Sequence, residues 1–169
     1  MNSIISRHWL RRTGRVLAGA ALTVIALGVW VAPTQADSLH DSIAEKVVEL
    51  QASQERWIFI DLKTQRLIAL EGATPVYAIV VSTGKNSSPT RPGIFQIQSK
   101  VPAQRLRGTG YDIPNVPYIL FYQGNYAIHG AYWHHQFGKP ASHGCVNVAV
   151  NHARWLFAWA SVGTPVLIY

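Results

Sequence analysis

The spacing of apolar residues along this chain changes twice, from a continuous run to a helical period and then to alternation, and each change marks a boundary. Val16 to Ala32 is an almost unbroken apolar run of 17 residues, preceded by a segment with Arg7, Arg11, Arg12 and Arg15 and no acid. Thr34-Gln35-Ala36 follows as a small-x-small site, so residues 1–36 have the plan of a secretory signal peptide cleaved after Ala36. A run of this length also meets the lower limit for a bilayer-spanning helix, about 17 to 25 residues. The alternative is therefore an uncleaved anchor made of residues 16–32. No cysteine follows the run closely, which excludes a lipid-modified cysteine anchor.

Residues 37–56 read as a linker with a short helix. Ile43, Val47 and Leu50 share one helical face in Ser38–Gln54, and Ser42 and Glu45 stand at capping-box spacing. From Trp57 the period is two. Trp57–Leu62 and Arg66–Leu70 flank Lys63-Thr64-Gln65 as a hairpin, and Val76–Ser82 and Ile94–Ser99 are further strands. Tyr118–Gln123 and Tyr126–His129 pair across Gly124-Asn125, and Pro165–Tyr169 closes the chain as a strand. Thr83–Pro92 is a loop rich in Gly, Ser, Thr and Pro. Val101–Pro117 breaks the alternation with Gly, Pro and Asn, which predicts a mobile segment over the site. Val150–Ala160 is a helix with Trp155, Leu156 and Trp159 on its apolar face. Together these predict one mainly β domain over 57–169, a β-sandwich or partly open barrel with one or two short helices.

Composition narrows the class. A length of 169 residues and 49 % apolar content suffice for one real core. The formal charge of +7 belongs mostly to the N-terminal segment, because without its four arginines 11 basic residues face 8 acidic ones, leaving +3. The remaining charge gives a mild long-range attraction to anionic polymers. Basic-aromatic patterning of the nucleic-acid kind is absent, so nucleic acid is excluded as a partner.

The chemistry concentrates in Ser142-His143-Gly144-Cys145-Val146-Asn147, which holds the single cysteine of the chain. In extended backbone His143 and Cys145 would lie on one face, where an imidazole draws a thiol toward the nucleophilic thiolate. Gly144 lets an acyl group approach the backbone, and the amides of Gly144 and Cys145 could receive an oxyanion. A lone cysteine is often a small buried hydrophobe. A base two residues away, in a chain with an export signal, favours a catalytic thiol instead.

These residues resemble the L,D-transpeptidase (YkuD-like) catalytic domain family of bacterial peptidoglycan. The likeness rests on Ile128-His129-Gly130, Phe137-Gly138-Lys139-Pro140 and the cysteine motif, with Val81-Ser82-Thr83-Gly84-Lys85 and Pro89-Thr90-Arg91-Pro92-Gly93 upstream. It extends from about Trp57 to the C-terminus. It implies a fold of mixed sheets in which the Cys145 loop and the His129 strand meet in one cleft. It also implies catalytic roles for Cys145, His129, His143, Ser142 and Gly144, with the Ser142 carbonyl orienting an imidazole and Asn147 holding the loop or the substrate. Tyr111 and Trp133 are candidate substrate contacts. Which histidine is the base stays open.

The reaction that follows is ping-pong acyl transfer without cofactor or metal. Cys145 would take the acyl group of a tetrapeptide stem with release of D-alanine and pass it to an amine acceptor. Carbapenem-type β-lactams would acylate the same thiol. The protein would be exported to the bacterial cell envelope, touching membrane only through its N-terminal segment. One alternative is an L,D-carboxypeptidase or another secreted cysteine amidase or peptidase, with water as acceptor. Another is a structural or metal-binding wall protein using His129, His134, His135, His143 and Cys145, although adjacent His134 and His135 rings diverge and the spacing fits no common zinc site.

Overall fold

The computed structural model describes residues 35–169. The run over 16–32 and the basic segment before it lie outside the described residues. Helix α1 (Gln35–Ala52) lays Ile43 and Leu50, with Leu39 and Val47, against Trp57, Leu70 and Leu167. The expected capping box is not formed. Ser42 lies within the helix, and its hydroxyl donates back to Ser38 O at 2.8 Å. Among the described residues no helix is long and apolar enough to cross a membrane.

Two mixed sheets face each other. The first joins β1 (Arg56–Asp61), β2 (Arg66–Glu71), β3 (Thr74–Val80), β4 (Gly93–Gln96) and β9 (Pro165–Ile168) in the order β3-β2-β1-β9-β4, with β1 and β9 parallel. The second joins β5 (Ser99–Gly108), β6 (Tyr111–Gln123), β7 (Tyr126–Gly130) and β8 (Val146–Val148) in chain order, with β7 and β8 parallel. Alternation does the sorting. Along β1, Ile58 and Ile60 enter the core between the sheets, while Trp57 and Phe59 face α1. Leu120, Ile128, Val146 and Val148 meet them from the second sheet, and helix α2 (Val150–Trp159) adds Ala153 and Leu156. Each large aliphatic side chain fully buried here contributes about 1.5 to 3 kcal/mol.

The expected β1–β2 hairpin forms, with Trp57 opposite Leu70 and Asp61 opposite Arg66. Its turn is built by Asp61, whose carboxylate accepts from Lys63 N, Thr64 N and the Thr64 hydroxyl. The Thr64 hydroxyl bond is the chief reason the Asp61 carboxyl sits below its ordinary pKa. The segment Val101–Pro117 differs from expectation, because it is not an interruption of the strands but a long antiparallel hairpin of β5 and β6. Its prolines hide the alternation, and a register shift between Gln104 and Leu106, with Asn115 and Tyr118 at positive φ, absorbs them. Strand β8 was not expected at all. Three residues are too few for a period, and only its partners, β7 on one side and Ser82 on the other, define it.

Candidate active site

Cys145 closes a bent loop just before β8. In the parallel β7–β8 pair, Ile128 stands beside Val146 and His129 beside Asn147. Ile128 and Val146 point into the core, so alternation turns Ala127, His129, Cys145 and Asn147 to the opposite face. There Cys145 packs on a small cluster of Val116, Ile119 and Ala127. A cleft of about 730 Å³ opens over this face, lined by Cys145, His129, His143, Ser142, Asn147, Tyr111 and Trp133 among others. Gly144, the remaining residue expected in the site, is buried behind it.

The loop is fixed from below by the segment that joins β3 to β4. Ser82 and Asn147 exchange main-chain bonds at 2.9 and 2.8 Å, and Thr83 O accepts from the amides of Ala141 and Ser142 at 2.9 and 3.0 Å. The buried Thr90 hydroxyl accepts from Gly84 N at 2.9 Å and donates to Gly144 O at 2.8 Å. Gln65, at φ +53°, reaches from the first hairpin to receive Thr83 N at 2.9 Å. Gly144 has φ +115°, and a Cβ there would lie 2.6 Å from the Tyr126 ring, so both backbone and space demand glycine. Its amide donates to Ser142 Oγ at 3.0 Å, and that hydroxyl donates to Cys145 O. The Ser142 carbonyl accepts from Lys85 N at 3.1 Å.

The two histidines differ sharply. His129 is buried, its Nδ1 donates to Gly130 O at 3.2 Å, and burial pulls its pKa down to about 4. The ring is therefore neutral near pH 7, with an acceptor lone pair on Nε2. His143 is exposed and stacks on Tyr111 of the β5–β6 hairpin at a centroid distance of 4.9 Å. The extended backbone expected between His143 and Cys145 is absent, since Gly144 turns the chain. Burial also pushes the Cys145 thiol up, opposed by the Ala127 amide, and Sγ points to Asn125 O at 3.8 Å. Burial of both groups disfavours the thiolate–imidazolium pair toward which the local spacing pointed.

Residues 55–168 match the family model of the L,D-transpeptidase catalytic domain, YkuD. The chain belongs to this family. Similar solved structures include an L,D-transpeptidase from Xylanimonas cellulosilytica, 28 % identical over 69 % of this chain and 61 % of that one, with a TM-score of 0.60. An Enterococcus faecium L,D-transpeptidase C442S mutant is 25 % identical over 69 % of this chain and 50 % of that one, with a TM-score of 0.64. Ldtfm in its avibactam carbamoyl form is 28 % identical over 68 % and 49 %, also at 0.64. The chain spans 49 to 61 % of the length of these three structures. No curated protein matches it.

Within this L,D-transpeptidase domain several supporting residues escaped sequence reasoning. Thr90 lay in a segment read as a turn-rich loop and as part of the family likeness, with no role of its own, and Gln65 in a turn tripeptide. Each acts through a partner at least 18 positions away, which no local period reveals. The aromatic loop after β7 was expected, and Trp133 stands 36 % exposed with its ring 5.8 Å from that of His129. The Tyr132 hydroxyl ties this loop to Pro114 O of β6. Among the described residues no three His, Cys, Asp or Glu side chains are grouped to hold a metal ion.

Proposed function

We propose that this chain is a cysteine-dependent L,D-transpeptidase of peptidoglycan in which His129 is the base. The observation that carries the reading is the placement of His129 and Cys145 on one face of the β7–β8 pair, with His129 Nδ1 tied to Gly130 O. The Gly130 carbonyl then does the orienting that was expected of Ser142, whose hydroxyl instead shapes the loop. The thiol proton passes to His129 Nε2 as Sγ attacks the carbonyl before the terminal D-alanine of a tetrapeptide stem. The imidazolium returns the proton to the departing D-alanine amine, leaving a thioester on Cys145. An acceptor amine attacks the thioester and gives its proton to His129, which returns it to the thiol as the crosslinked amide departs. The Cys145 amide receives the oxyanion, since that of Gly144 is taken by Ser142 Oγ.

His143 on Tyr111, with Trp133 opposite, forms the walls that hold the stem. β-Lactams of carbapenem type acylate the same thiol, since their strained ring presents a carbonyl carbon to Sγ. Residues 1–36 direct export to the cell envelope and are removed after Ala36, and residues 57–169 form the catalytic domain with α1 against it. Incubation of residues 37–169 with disaccharide-tetrapeptide, read by mass spectrometry, tests the function. Crosslinked dimer with released D-alanine is expected. Free tripeptide alone would make the enzyme a carboxypeptidase, and unchanged substrate would overturn the reading.

A further inference from the structure

Ser82, Gln136, His134 and Asn147 close a ring of hydrogen bonds beneath the cleft. Ser82 and Asn147 exchange main-chain bonds, Ser82 Oγ donates to Gln136 O at 2.7 Å, and Gln136 N donates to His134 Nδ1 at 3.1 Å. His134 Nε2 completes the ring 2.8 Å from the side-chain amide of Asn147, the atom placed there being Nδ2. The direction of this last bond follows from the others. A ring nitrogen that accepts from Gln136 carries a lone pair, so the neutral imidazole holds its proton on Nε2. Nε2–H needs an acceptor. Of the two amide atoms of Asn147, which exchange places by rotation about χ2, only Oδ1 is one. Rotated so, the amide puts Oδ1 on His134 and its NH2 on the side of the cleft that Asn147 lines.

Asparagine by itself is indifferent, able to donate or accept. Here the choice is made by a histidine whose ring is held between Phe137, at 5.2 Å, and the edge of Trp133, at 6.0 Å. Asn147 is only 3 % exposed, so a ligand that offered it another donor would leave a buried NH2 without a partner. We propose that His134, through its fixed tautomer, makes Asn147 a hydrogen-bond donor and so selects acyl donors that present a carbonyl or carboxylate oxygen at that place. This rests on the transpeptidase reading. His134 is a positioning residue and touches no reacting atom.

Two measurements test it, one independent of activity. Long-range 15N–1H correlation of the imidazoles in the wild-type protein at pH 7 should show His134 with its proton on Nε2, and a proton on Nδ1 would overturn the inference. In transfer from disaccharide-tetrapeptide, Asn147→Asp keeps an acceptor for His134 but has no NH2. It should lose roughly 10- to 100-fold in kcat/KM, mostly through KM. His134→Phe, which keeps the ring stacking, should lose a similar factor, and His134→Gln, whose amide can still donate to Asn147, should recover most of it. Asn147→Asp at wild-type activity, or His134→Gln no better than His134→Phe, would sink the proposal. A wild-type protein that neither releases D-alanine nor forms a thioester would fail the transpeptidase reading, while the tautomer result would stand on its own.

Discussion

The loop that carries Cys145 and the hairpin that faces it across the cleft are held in different ways. Around Cys145, main-chain bonds from Ser82, Thr83 and Lys85, and the buried Thr90 hydroxyl, leave the loop no alternative course. On the β5–β6 hairpin no residue between Pro102 and Asn115 is buried, and its strands are clasped from outside by Arg105 and Arg107 on Asp112. Cys145 therefore sits on a fixed floor, and the wall carrying Tyr111 rests on exposed contacts. The proposed acyl transfer would need both, since attack tolerates little misplacement and two stems would have to enter and leave in turn.

The largest effect expected from the fixed side is Cys145→Ala, which should cut transfer by on the order of 10⁴-fold or more and leave the urea midpoint near wild type. Full turnover by this variant would end the cysteine mechanism. Next is His129. As base its removal in His129→Gln should cost about 10² to 10⁴ in kcat/KM. Because it is buried neutral, the unfolded chain takes up a proton near pH 6.5 and the folded one only near 4, so acid favours unfolding through that window. That amounts to roughly 3 kcal/mol between pH 7 and pH 4. Urea titrations across this range should be flatter in His129→Gln than in wild type.

Thr90→Val removes the hydroxyl that joins Gly84 N to Gly144 O and keeps its shape. With two buried main-chain groups left unmatched, a loss of about 2 to 4 kcal/mol in stability is expected, with transfer falling alongside. On the hairpin side, Asp112→Asn should leave the urea midpoint unchanged and raise KM a few-fold, because the clasp is exposed. The Asp112 carboxyl is held down at about 2 by Arg105 and then Arg107, so the clasp persists in mild acid. Equal stability losses from Thr90→Val and Asp112→Asn would break the contrast between the two regions. The smallest effect is expected for His143→Ala, which should leave the pH dependence of Cys145 alkylation where it is. A rise in that pKa would restore His143 as the charge partner.

Much of the fold was legible because its signals are local. Alternation from Trp57 gave the first hairpin, Gly124-Asn125 gave the second, and the apolar face of Val150–Trp159 gave α2. The β5–β6 hairpin was not, since Pro102, Pro114 and Pro117 mask the period that strand pairing restores. Cys145, His129, Asn147, Tyr111 and Trp133 could be named from motif and spacing, yet their arrangement could not. The amino-acid sequence by itself determined the residue types, the glycine at 144 and the order of the motifs, because these are properties of single positions and neighbours. Tertiary structure decided which histidine is buried and which is exposed, which amide is already occupied and that the thiol is buried. Each of these depends on burial and on partners from distant strands, and a parallel pair such as β7 and β8 exists only once the chain between them has folded.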